Sequence, residues 1–524
     1  MQHKGIIKVL LVTACIVYLG LRIWRLCDSC LWFDEIFSIH AAEHDWNGLF
    51  RFIAQDLIHP PLSYLLLKLW MLVTGDSFTS VRIFPFFFSA IAIIPYWLLC
   101  RELKVSRPAA VAGLFFIAVN GALIKYSQEV RMYAPFFFFS VTSLWLFARF
   151  FFRGKSFWIL AAANVLLVHT HYFGWFVIAA QIAAAIAIRR PKIPRTLLMA
   201  ALTAAASAPW LVFVVINKAA DHSLSENIGW IERPSLRQIF DLVIDLIDPV
   251  YFQLSSAEPS GNLLIAIPVL MVIAAAKIFY LTEGRDAEEK ERLLFLAIFA
   301  AVPVVLALFL SWVLPYSIWG SRHLIVIFVP VLLLAGIFIA DVKATRLMPS
   351  AAGFLVLLIV AAIGVDLWRG KREYIWCAWE QLAKEWVLSP SEGSTPTLFV
   401  FEDVAAYDYW FATRDLPNRR IVLIKGVEGT TNDPAYFLPR GFDGVTVGDL
   451  STVEGDEIWV SFRQTTRPDP LGEHDAAERR FEVPVTNFEN LGYVVEDVKM
   501  KAVGPHTAYL VRMKKAPPAA GPSN

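Results

Sequence analysis

Long apolar stretches separated by short connections rich in arginine and lysine constrain the fold of this sequence more than any other feature. A helix that crosses a bilayer needs about 20 apolar residues, and the sequence contains about eleven such stretches. With 57% hydrophobic and 18% charged residues, the chain is more apolar than a soluble domain, which is about 45–50% apolar. The sequence therefore predicts a polytopic α-helical membrane protein. The predicted spans are 6–24, 80–100, 108–125, 133–152, 157–172, 173–188, 197–216, 262–281, 293–312, 322–340 and 348–367.

Basic residues cluster in every second connection between the predicted spans. These connections hold Arg101, Arg153, Arg190, Arg285 and Lys343. Because cytoplasmic loops carry an excess of arginine and lysine, we predict that they are cytoplasmic. The N-terminus is then inside, and everything after residue 368 is outside. No small-residue cleavage site precedes Trp24, so the first span is predicted to be an anchor.

The stretch 60–74 interrupts this regular pattern. It is apolar but short, and it begins with Pro60 and Pro61, which favour an extended entry into a helix. A membrane span here would invert every later loop and place the arginine-rich loops outside. We therefore interpret 60–74 as an interfacial helix within a long outer loop, 25–79. A second outer loop is predicted at 217–261.

The composition changes near residue 370 to that of a water-soluble domain. Four apolar segments, TPTLFVFE, RRIVLIK, DEIWVSFR and TAYLVRM, are typical of short buried strands. The segment DVAAYDYWFATR between the first two predicts a helix, and the strand–helix–strand order indicates an α/β domain. We therefore assign residues 1–368 to a membrane domain and 369–515 to an extracytoplasmic α/β domain. The tail, 516–524, is predicted to be disordered.

The sequence has five cysteines, of which Cys27 and Cys30 have the spacing of a CxxC motif. No second pair completes a zinc site. On an oxidising side of the membrane these two cysteines would be able to form a local disulfide, and free thiols are the alternative.

Two acidic residues, Asp34 and Glu35, follow the first span in the motif LWFDE. Ionisable residues at a membrane boundary are costly, so they indicate function by default. One interpretation is a general base that takes a proton from an attacking hydroxyl or amine. The alternative is a helix N-terminus, where acids interact favourably with the dipole. In the same loop, His59 is a candidate for contacting a phosphate or a sugar hydroxyl, with a simple boundary-loop histidine as the alternative.

A second polar cluster, YSQEVRMYAP, forms the predicted outer turn after the third span. Its candidate substrate-binding residues are Lys125, Glu129, Arg131 and Tyr133. The planar guanidinium group of arginine suits a phosphate. The alternative is a plain turn in which Glu129 and Arg131 pair with each other.

Histidines and a further arginine mark two later turns on the same predicted side. His171 and Tyr172 lie in HTHYF, and Arg322 and His323 lie in SRHL. The two histidines of HTH are two residues apart, so they do not share a helix face and do not form a helical metal pair. An arginine at the bilayer boundary favours an anion, which is either a lipid phosphate or a carboxylate of the chain.

Five motifs in this order, LWFDE, HPPL, SQEVRMYAP, HTHYF and SRHL, resemble the GT-C membrane glycosyltransferases. They are most similar to the branch that holds the protein O-mannosyltransferases and the bacterial aminoarabinose transferase of lipid A. The resemblance covers roughly residues 6–367 and implies a GT-C-type membrane domain. It implies that Asp34 is the catalytic base and that Arg131 and Arg322 bind the phosphate of a lipid carrier. Relatives often have tyrosine at the position of His323.

The resemblance further implies a glycosyltransferase whose donor is a polyprenyl-phosphate-linked sugar and whose acceptor is an extracytoplasmic glycan, lipid or protein. Direct displacement would invert the anomeric centre. The expected location is the bacterial inner membrane with the site on the periplasmic face, and no nucleic acid is involved. Metal use varies in the superfamily, so the cofactor stays unknown: the sequence is compatible with a divalent metal but does not require one.

Two other functional classes fit the sequence less well. A transporter or flippase of a lipid-linked saccharide would favour charges near the bilayer midplane and internal repeats, and the sequence shows neither. A membrane anchor that presents the outer α/β domain to partners would explain neither polar cluster.

Overall fold

The structure of the chain is a computed structural model in which the described residues form two compact units. The first holds Met1–Cys27, Ser38–Gln253 and Glu258–Gly370, and the second holds Asp28–Phe37 and Lys371–Asn524. The predicted disordered tail, apart from Ala516, and most of the predicted outer loop 217–261 lie outside the described residues. Described are residues 2–56, 58–217, 231–248, 263–282, 284–341, 347–368, 374–388, 397–416, 419–427, 438–439, 442–465, 484–503 and 506–516.

Helices account for nearly all the regular structure in the described part of the first unit. They follow the predicted apolar spans, because an apolar run without external hydrogen-bond partners satisfies its backbone within a helix. Helix α2 begins within the residues of the second unit. The helices are α1 Gln2–Ile23, α2 Phe33–Glu43, α3 Trp46–Asp56, α4 Leu62–Thr74, α5 Phe78–Ile91, α6 Ile93–Glu102, α7 Arg107–Val119, α8 Gly121–Tyr126, α9 Tyr133–Arg153, α10 Phe157–Thr170, α11 Gly174–Ala187, α12 Ile193–Asn217, α13 Leu236–Ile247, α14 Leu263–Thr282, α15 Ala287–Val313, α16 Phe328–Ala340 and α17 Leu347–Trp368.

Within the described residues, six helical segments are long and apolar enough to cross a membrane by length and composition. They are Gly5–Ile23, Phe78–Glu102, Tyr133–Arg153, Arg190–Asn217, Ala287–Val313 and Ser321–Ala340. Shorter apolar helices accompany them, among them Leu62–Thr74, where the sequence predicts an interfacial helix. A mostly helical membrane protein is therefore confirmed. The number of spans and the interfacial position of α4 stay predictions.

Three of the predicted spans are interrupted by local geometry. Pro95 lacks an N–H, and in a continuous helix its ring would clash with the carbonyl of Ile91 four residues earlier. Helix α5 ends at Ile91. The predicted span 322–340 coincides with the helical segment Ser321–Ala340, but its helix geometry changes along its length. Residues Ser321–Ile327 form a 3₁₀ helix, and the α-helix begins only at Phe328.

The predicted span 108–125 is also wrong as a continuous helix, because α7 ends at Val119. The side chain of Asn120 accepts a hydrogen bond from the backbone N–H of Leu123 at 2.9 Å and so caps the new helix α8. Its amide nitrogen donates to the carbonyl oxygen of Asp245 at 2.9 Å. These bonds stabilise a break in the chain where the sequence alone suggests only an apolar run.

Arg22 stabilises the end of α7 from within the helix bundle. The side chain is fully buried, and it donates to the carbonyl oxygens of Ala118 and Ile117 at 3.0 Å each and to the hydroxyl of Ser89 at 3.0 Å. The last carbonyls of a helix lack helical partners and carry the negative end of its dipole, so a cation suits this position. The chain then turns through α8 towards Arg131.

Small and amide side chains hold other helices together. A Cβ atom on Gly336 would lie 2.5 Å from the backbone nitrogen of Gly113, so α16 and α7 approach at a distance that only glycine allows. Between α9, α10 and α11, the buried residues Ser143, Asn164 and Gln181 bond to one another at 2.7, 2.9 and 3.0 Å. Their polar groups are therefore satisfied without water.

The second unit contains a six-stranded sheet of order β3-β2-β1-β4-β6-β5. Strands β3, β2, β1 and β4 are parallel, while β4, β6 and β5 are antiparallel. Helix α18 packs against β5, β6 and helix α19, and α19 also packs against β1 and β2. The elements are α18 Ile375–Leu388, β1 Thr397–Val400, α19 Asp403–Thr413, β2 Arg420–Ile424, β3 Thr446–Gly448, β4 Glu457–Thr465, β5 Tyr493–Val503 and β6 His506–Lys515.

The C-terminal sheet domain is confirmed, and the four predicted strands and the helix between the first two are present. Strands β3 and β5 and helix α18 were not predicted. Strand β5 is an edge strand whose side chains are mostly exposed, so it lacks the apolar run that marks a buried strand. The domain core includes Phe399, Val422, Val460 and Val511 on one face of the sheet, packed against Phe488.

The disulfide of the second unit joins residues far apart in sequence. Cys30 is bonded to Cys377 in the first turn of α18, 347 residues later. The local Cys27–Cys30 pairing is therefore wrong, and Cys27 is a free, exposed thiol. The Cα atoms of Cys30 and Cys377 are 5.3 Å apart, which is within the range that a disulfide spans.

Candidate active site

Arg131 lies at the centre of a buried polar cluster in the first unit. It follows α8 in the turn before α9, and its side chain is 5% exposed. One terminal nitrogen, Nη1, donates to the hydroxyl of Ser38 in α2 at 3.1 Å and lies 3.5 Å from the hydroxyl of Tyr64 in α4. The other, Nη2, lies 3.3 Å from Nε2 of His59. Three separate segments thus meet at one guanidinium group.

The turn that carries Arg131 is fixed by backbone contacts of its neighbour Gln128. The Gln128 side-chain amide donates to the carbonyl oxygens of Arg22 at 3.1 Å and Trp24 at 2.7 Å. Its own carbonyl accepts from Nη1 of Arg82 at 2.7 Å. Because these bonds reach the end of α1 and helix α5, the position of the turn depends on several helices.

His171 is the second focus of the cluster. It follows the last residue of α10 in an extended conformation and is buried. Its ring stacks on Phe136 with centroids 4.7 Å apart and lies 5.2 Å from the ring of His323. Both Arg131 and Arg322 lie close enough to act electrostatically on His171, as does His59. The two predicted phosphate-binding arginines are therefore near one common imidazole.

The remaining predicted residues of the first unit line the same turn or the adjoining helices. The ring of Tyr133 lies 4.9 Å from that of Tyr126 and 6.5 Å from that of His171. Lys125 is buried, with its ammonium nitrogen 5.2 Å from the Tyr126 ring centre. The hydroxyl of Tyr172 accepts a hydrogen bond from the indole N–H of Trp210 at 3.1 Å.

Two further predicted residues take their positions from backbone structure. Glu129 is buried, and its carbonyl oxygen accepts from the backbone N–H of Arg131 at 2.7 Å. His323 sits in the 3₁₀ helix, where its backbone N–H donates to the carbonyl of Gly320 at 3.0 Å and its ring lies 5.1 Å from Phe173. The 3₁₀ geometry therefore sets the direction of this imidazole.

The acidic pair belongs to the second unit and occupies the first turn of α2. Glu35 is 1% exposed, and its carboxylate accepts a hydrogen bond from the backbone N–H of Trp32 at 3.1 Å. A glutamate at the third helical position commonly caps the start of a helix in this way. Asp34 is half-buried. The contacts favour the capping interpretation for Glu35 and leave Asp34 as the stronger candidate for a base.

Sequence reasoning missed Ser38 and Tyr64 as partners of Arg131. The signal for Ser38 was present, since it follows Asp34 by four residues and residues so spaced share one face of a helix. Tyr64 follows Pro60 and Pro61 in the first turn of α4, and no motif marked it. An aromatic residue in an apolar helix is ordinarily part of the core.

The described residues contain no group of three or more histidine, cysteine, aspartate or glutamate side chains that would hold a metal ion. His169 and His171 lie on the two sides of the end of α10. The ring of His169 contacts the carbonyl oxygen of Val165 at 2.8 Å along α10, whereas His171 lies beyond the helix end.

Among known proteins, a solved structure is similar to this chain over nearly the whole of both chains. ArnT from Cupriavidus metallidurans, crystallised with undecaprenyl phosphate, is 10% identical with a TM-score of 0.57, covering 97% of this chain and 98% of that chain. The archaeal oligosaccharyltransferase AglB from Archaeoglobus fulgidus is 14% identical with a TM-score of 0.45, covering 78% of this chain and 64% of that chain.

Comparison of the sequence alone finds little similarity to known proteins. No protein-family model matches the chain. An uncharacterized protein from Aquifex aeolicus is 26% identical over 150 residues, which is 28% of this chain and 29% of that protein. The structural match therefore shows that this chain shares its fold with ArnT over nearly the whole of both chains.

Proposed function

We propose that this protein is a membrane glycosyltransferase that moves a sugar from a polyprenyl-phosphate carrier to an extracytoplasmic acceptor. The observation that carries the proposal is the cluster of cationic and imidazole side chains around Arg131 and His171. It occurs in a chain that shares its fold over its full length with ArnT, which was crystallised with undecaprenyl phosphate. A lipid-linked phosphate is the anion that such a cluster in a membrane protein favours.

The proposed role of Arg131 and Arg322 is to bind the phosphate of the carrier. Arginine offers a rigid fork of N–H donors that matches phosphate oxygens, and it remains charged at all physiological pH values. Positive groups near one point repel one another, so a bound anion lowers the energy of the whole cluster. The same groups would stabilise the negative charge that grows on the phosphate as the bond to the sugar breaks.

The proposed role of Asp34 is that of general base. The acceptor hydroxyl or amine gives its proton to the Asp34 carboxylate as its oxygen or nitrogen bonds to the anomeric carbon. The bond between that carbon and the phosphate oxygen breaks, and polyprenyl phosphate leaves with the electron pair. One displacement inverts the anomeric centre. His59, His171 and His323 supply further hydrogen-bonding groups to the carrier or the sugar.

Release of carrier tests the proposal directly. The full-length protein in lipid nanodiscs is given a panel of undecaprenyl-phosphate-linked hexoses, pentoses and aminopentoses, with envelope extract as the acceptor source. We expect release of undecaprenyl phosphate with at least one donor, and much slower release from an Arg131→Ala protein at the same donor concentration. Arg107→Ala is the matched control, since Arg107 is an exposed arginine at the start of α7.

The same experiment separates the competing functional class. A transporter or flippase would move the intact lipid-linked saccharide between leaflets and release no undecaprenyl phosphate. Transbilayer movement of the donor in vesicles, without release from any member of the panel, would contradict the proposed transferase activity.

A further inference from the structure

The residues just before Asp34 belong to the same compact unit as the C-terminal sheet. The segment Asp28–Phe37 groups with that unit, and Cys30 is covalently bonded to Cys377 of α18. Two residues further on, the ring of Trp32 lies 6.3 Å from the ring of Trp376, which precedes Cys377 in the same helix. A covalent bond and an aromatic contact thus attach this segment to α18.

Two more contacts hold residues at the start of α2. The ring of Phe33 lies 5.4 Å from that of Tyr407 in α19, and Tyr407 is itself buried and stacked on Trp410 at 5.5 Å. The carboxylate of Glu35 accepts a hydrogen bond from the backbone N–H of Trp32. Residues on both sides of Asp34 are therefore held.

The first turn of a helix is otherwise its least stable part. Its N–H groups have no helical partners, and helix ends open at little cost in free energy. A catalytic group must nevertheless be held close to its productive position, and a misplacement of about 1 Å can cost about a hundredfold in rate. A base in a first turn consequently depends on whatever fixes the start of that helix.

We propose that Cys30, Cys377 and Trp376 are positioning residues. Through them the C-terminal part of the second unit holds the first turn of α2 and with it the carboxylate of Asp34. This inference rests on the proposed function of Asp34 as the base. The second unit then contributes to the transferase reaction. Reduction of one disulfide lowers the rate of the enzyme but leaves the carrier-binding arginines in place.

Variants of the full-length protein in nanodiscs test this role. Cys30→Ser/Cys377→Ser removes the bond, Trp376→Ala removes the ring contact, and Trp376→Phe keeps an aromatic ring. Cys27→Ser is the matched control, since Cys27 is a free thiol three residues before Cys30. Three quantities are measured: amide hydrogen exchange of residues 33–37, affinity for undecaprenyl phosphate, and the rate of undecaprenyl phosphate release.

We expect faster exchange at residues 33–37 and a turnover number lower by about tenfold or more in the double-serine and Trp376→Ala proteins. Affinity for undecaprenyl phosphate should stay within about twofold. Trp376→Phe should restore most of the rate, and dithiothreitol should slow the wild type and Cys27→Ser but not the double-serine protein. A role confined to global stability would instead reduce carrier affinity and turnover together.

Unchanged exchange in the double-serine protein would overturn the inference, and so would faster exchange with an unchanged turnover number. Failure of the proposed function has a different signature. A wild-type protein that neither binds undecaprenyl phosphate nor releases it from any donor would contradict the transferase itself, and the Cys27→Ser control would behave in the same way.

Discussion

The Nη2 atom of Arg131 lies 3.3 Å from the Nε2 atom of His59, which is 72 residues earlier in the chain. A guanidinium group has donors and no acceptor, so in this hydrogen bond the imidazole nitrogen is the acceptor. The contact orients one edge of the guanidinium fork, and Ser38 orients the other.

Carrier binding should depend on both arginines of the cluster. Each of Arg131→Ala and Arg322→Ala should weaken binding of undecaprenyl phosphate by about tenfold to a hundredfold, since a hydrogen bond to a charged group contributes about 1.5–3 kcal/mol. Lysine at either position should rescue only part of the loss, because it lacks the bidentate fork. Titration with undecaprenyl phosphate, followed by native mass spectrometry, gives the affinities.

The double variant Arg131→Ala/Arg322→Ala tests whether one ligand contacts both. Groups that act on the same ligand give non-additive losses, whereas independent sites give additive ones. Strictly additive losses, or an effect of Arg322→Ala on stability with no effect on affinity, would leave Arg322 as a structural residue.

Turnover should depend on Asp34 far more than on Glu35. Asp34→Asn should lower the turnover number by about a hundredfold or more, the loss expected when a general base is removed, with carrier affinity nearly unchanged. Glu35→Gln keeps a hydrogen-bond acceptor for the N–H of Trp32 and should retain most of the rate. Initial rates of undecaprenyl phosphate release compare the two proteins. Wild-type turnover by Asp34→Asn would reject the assignment of the base.

The stability of the second unit should fall as pH rises, because the buried carboxyl group of Asp408 holds its proton in the folded state. Burial, and secondarily the charge of Glu380, raise the pKa of the Asp408 carboxyl well above its usual value. The folded state then holds a proton that the unfolded state releases, so stability is lost as pH rises above the ordinary carboxyl pKa of about 3.9. Asp408→Asn mimics the protonated acid and should remove this loss.

Amide exchange of α19 in the full-length protein measures the effect. At pH 8, Asp408→Asn should raise the free energy of opening by on the order of 1 kcal/mol, since one pKa unit corresponds to about 1.4 kcal/mol. The gain should shrink towards pH 4. Asp415→Asn, at an exposed position after the same helix, should give no gain at either pH, and an equal gain there would contradict the explanation.

The predicted membrane orientation is tested by labelling from outside the cell. A Cys27→Ser background with Glu454→Cys should react with an impermeant thiol reagent, whereas the same background with Arg190→Cys should not. The Cys30–Cys377 disulfide supports this expectation, since disulfides persist in oxidising compartments and both cysteines lie in segments that the arginine pattern places outside. The reverse labelling pattern would invert the topology.

The helical framework could be predicted because its signal is local. Apolar runs of about a bilayer thickness are visible in any window of the sequence, and the four buried strands of the C-terminal sheet are similarly compact in sequence. The breaks could not be predicted in the same way. Asn120 ends α7 through a contact with the carbonyl of Asp245, 125 residues away, and no window of sequence contains both residues.

The ionisable residues of the candidate site could be predicted from the sequence, whereas the residues that they contact could not. Arg131 and His59 stood out because charge is rare in apolar sequence. Tyr64 and Ser38 did not, because hydroxyl-bearing residues are common in membrane helices and only the fold shows which of them meets a guanidinium group. The pairing of Cys30 with Cys377 was hidden for the same reason, and the nearer Cys27 suggested a local bond.

Direct observation of the bound carrier tests the central claim most sharply. A structure of the full-length protein determined by electron cryomicroscopy with undecaprenyl phosphate would show where the phosphate lies. The proposed role of the two arginines predicts phosphate oxygens within about 2.7–2.9 Å of the guanidinium nitrogens of Arg131, the usual length of a charge-assisted hydrogen bond, with Arg322 on the same phosphate. A phosphate bound away from both arginines would contradict it.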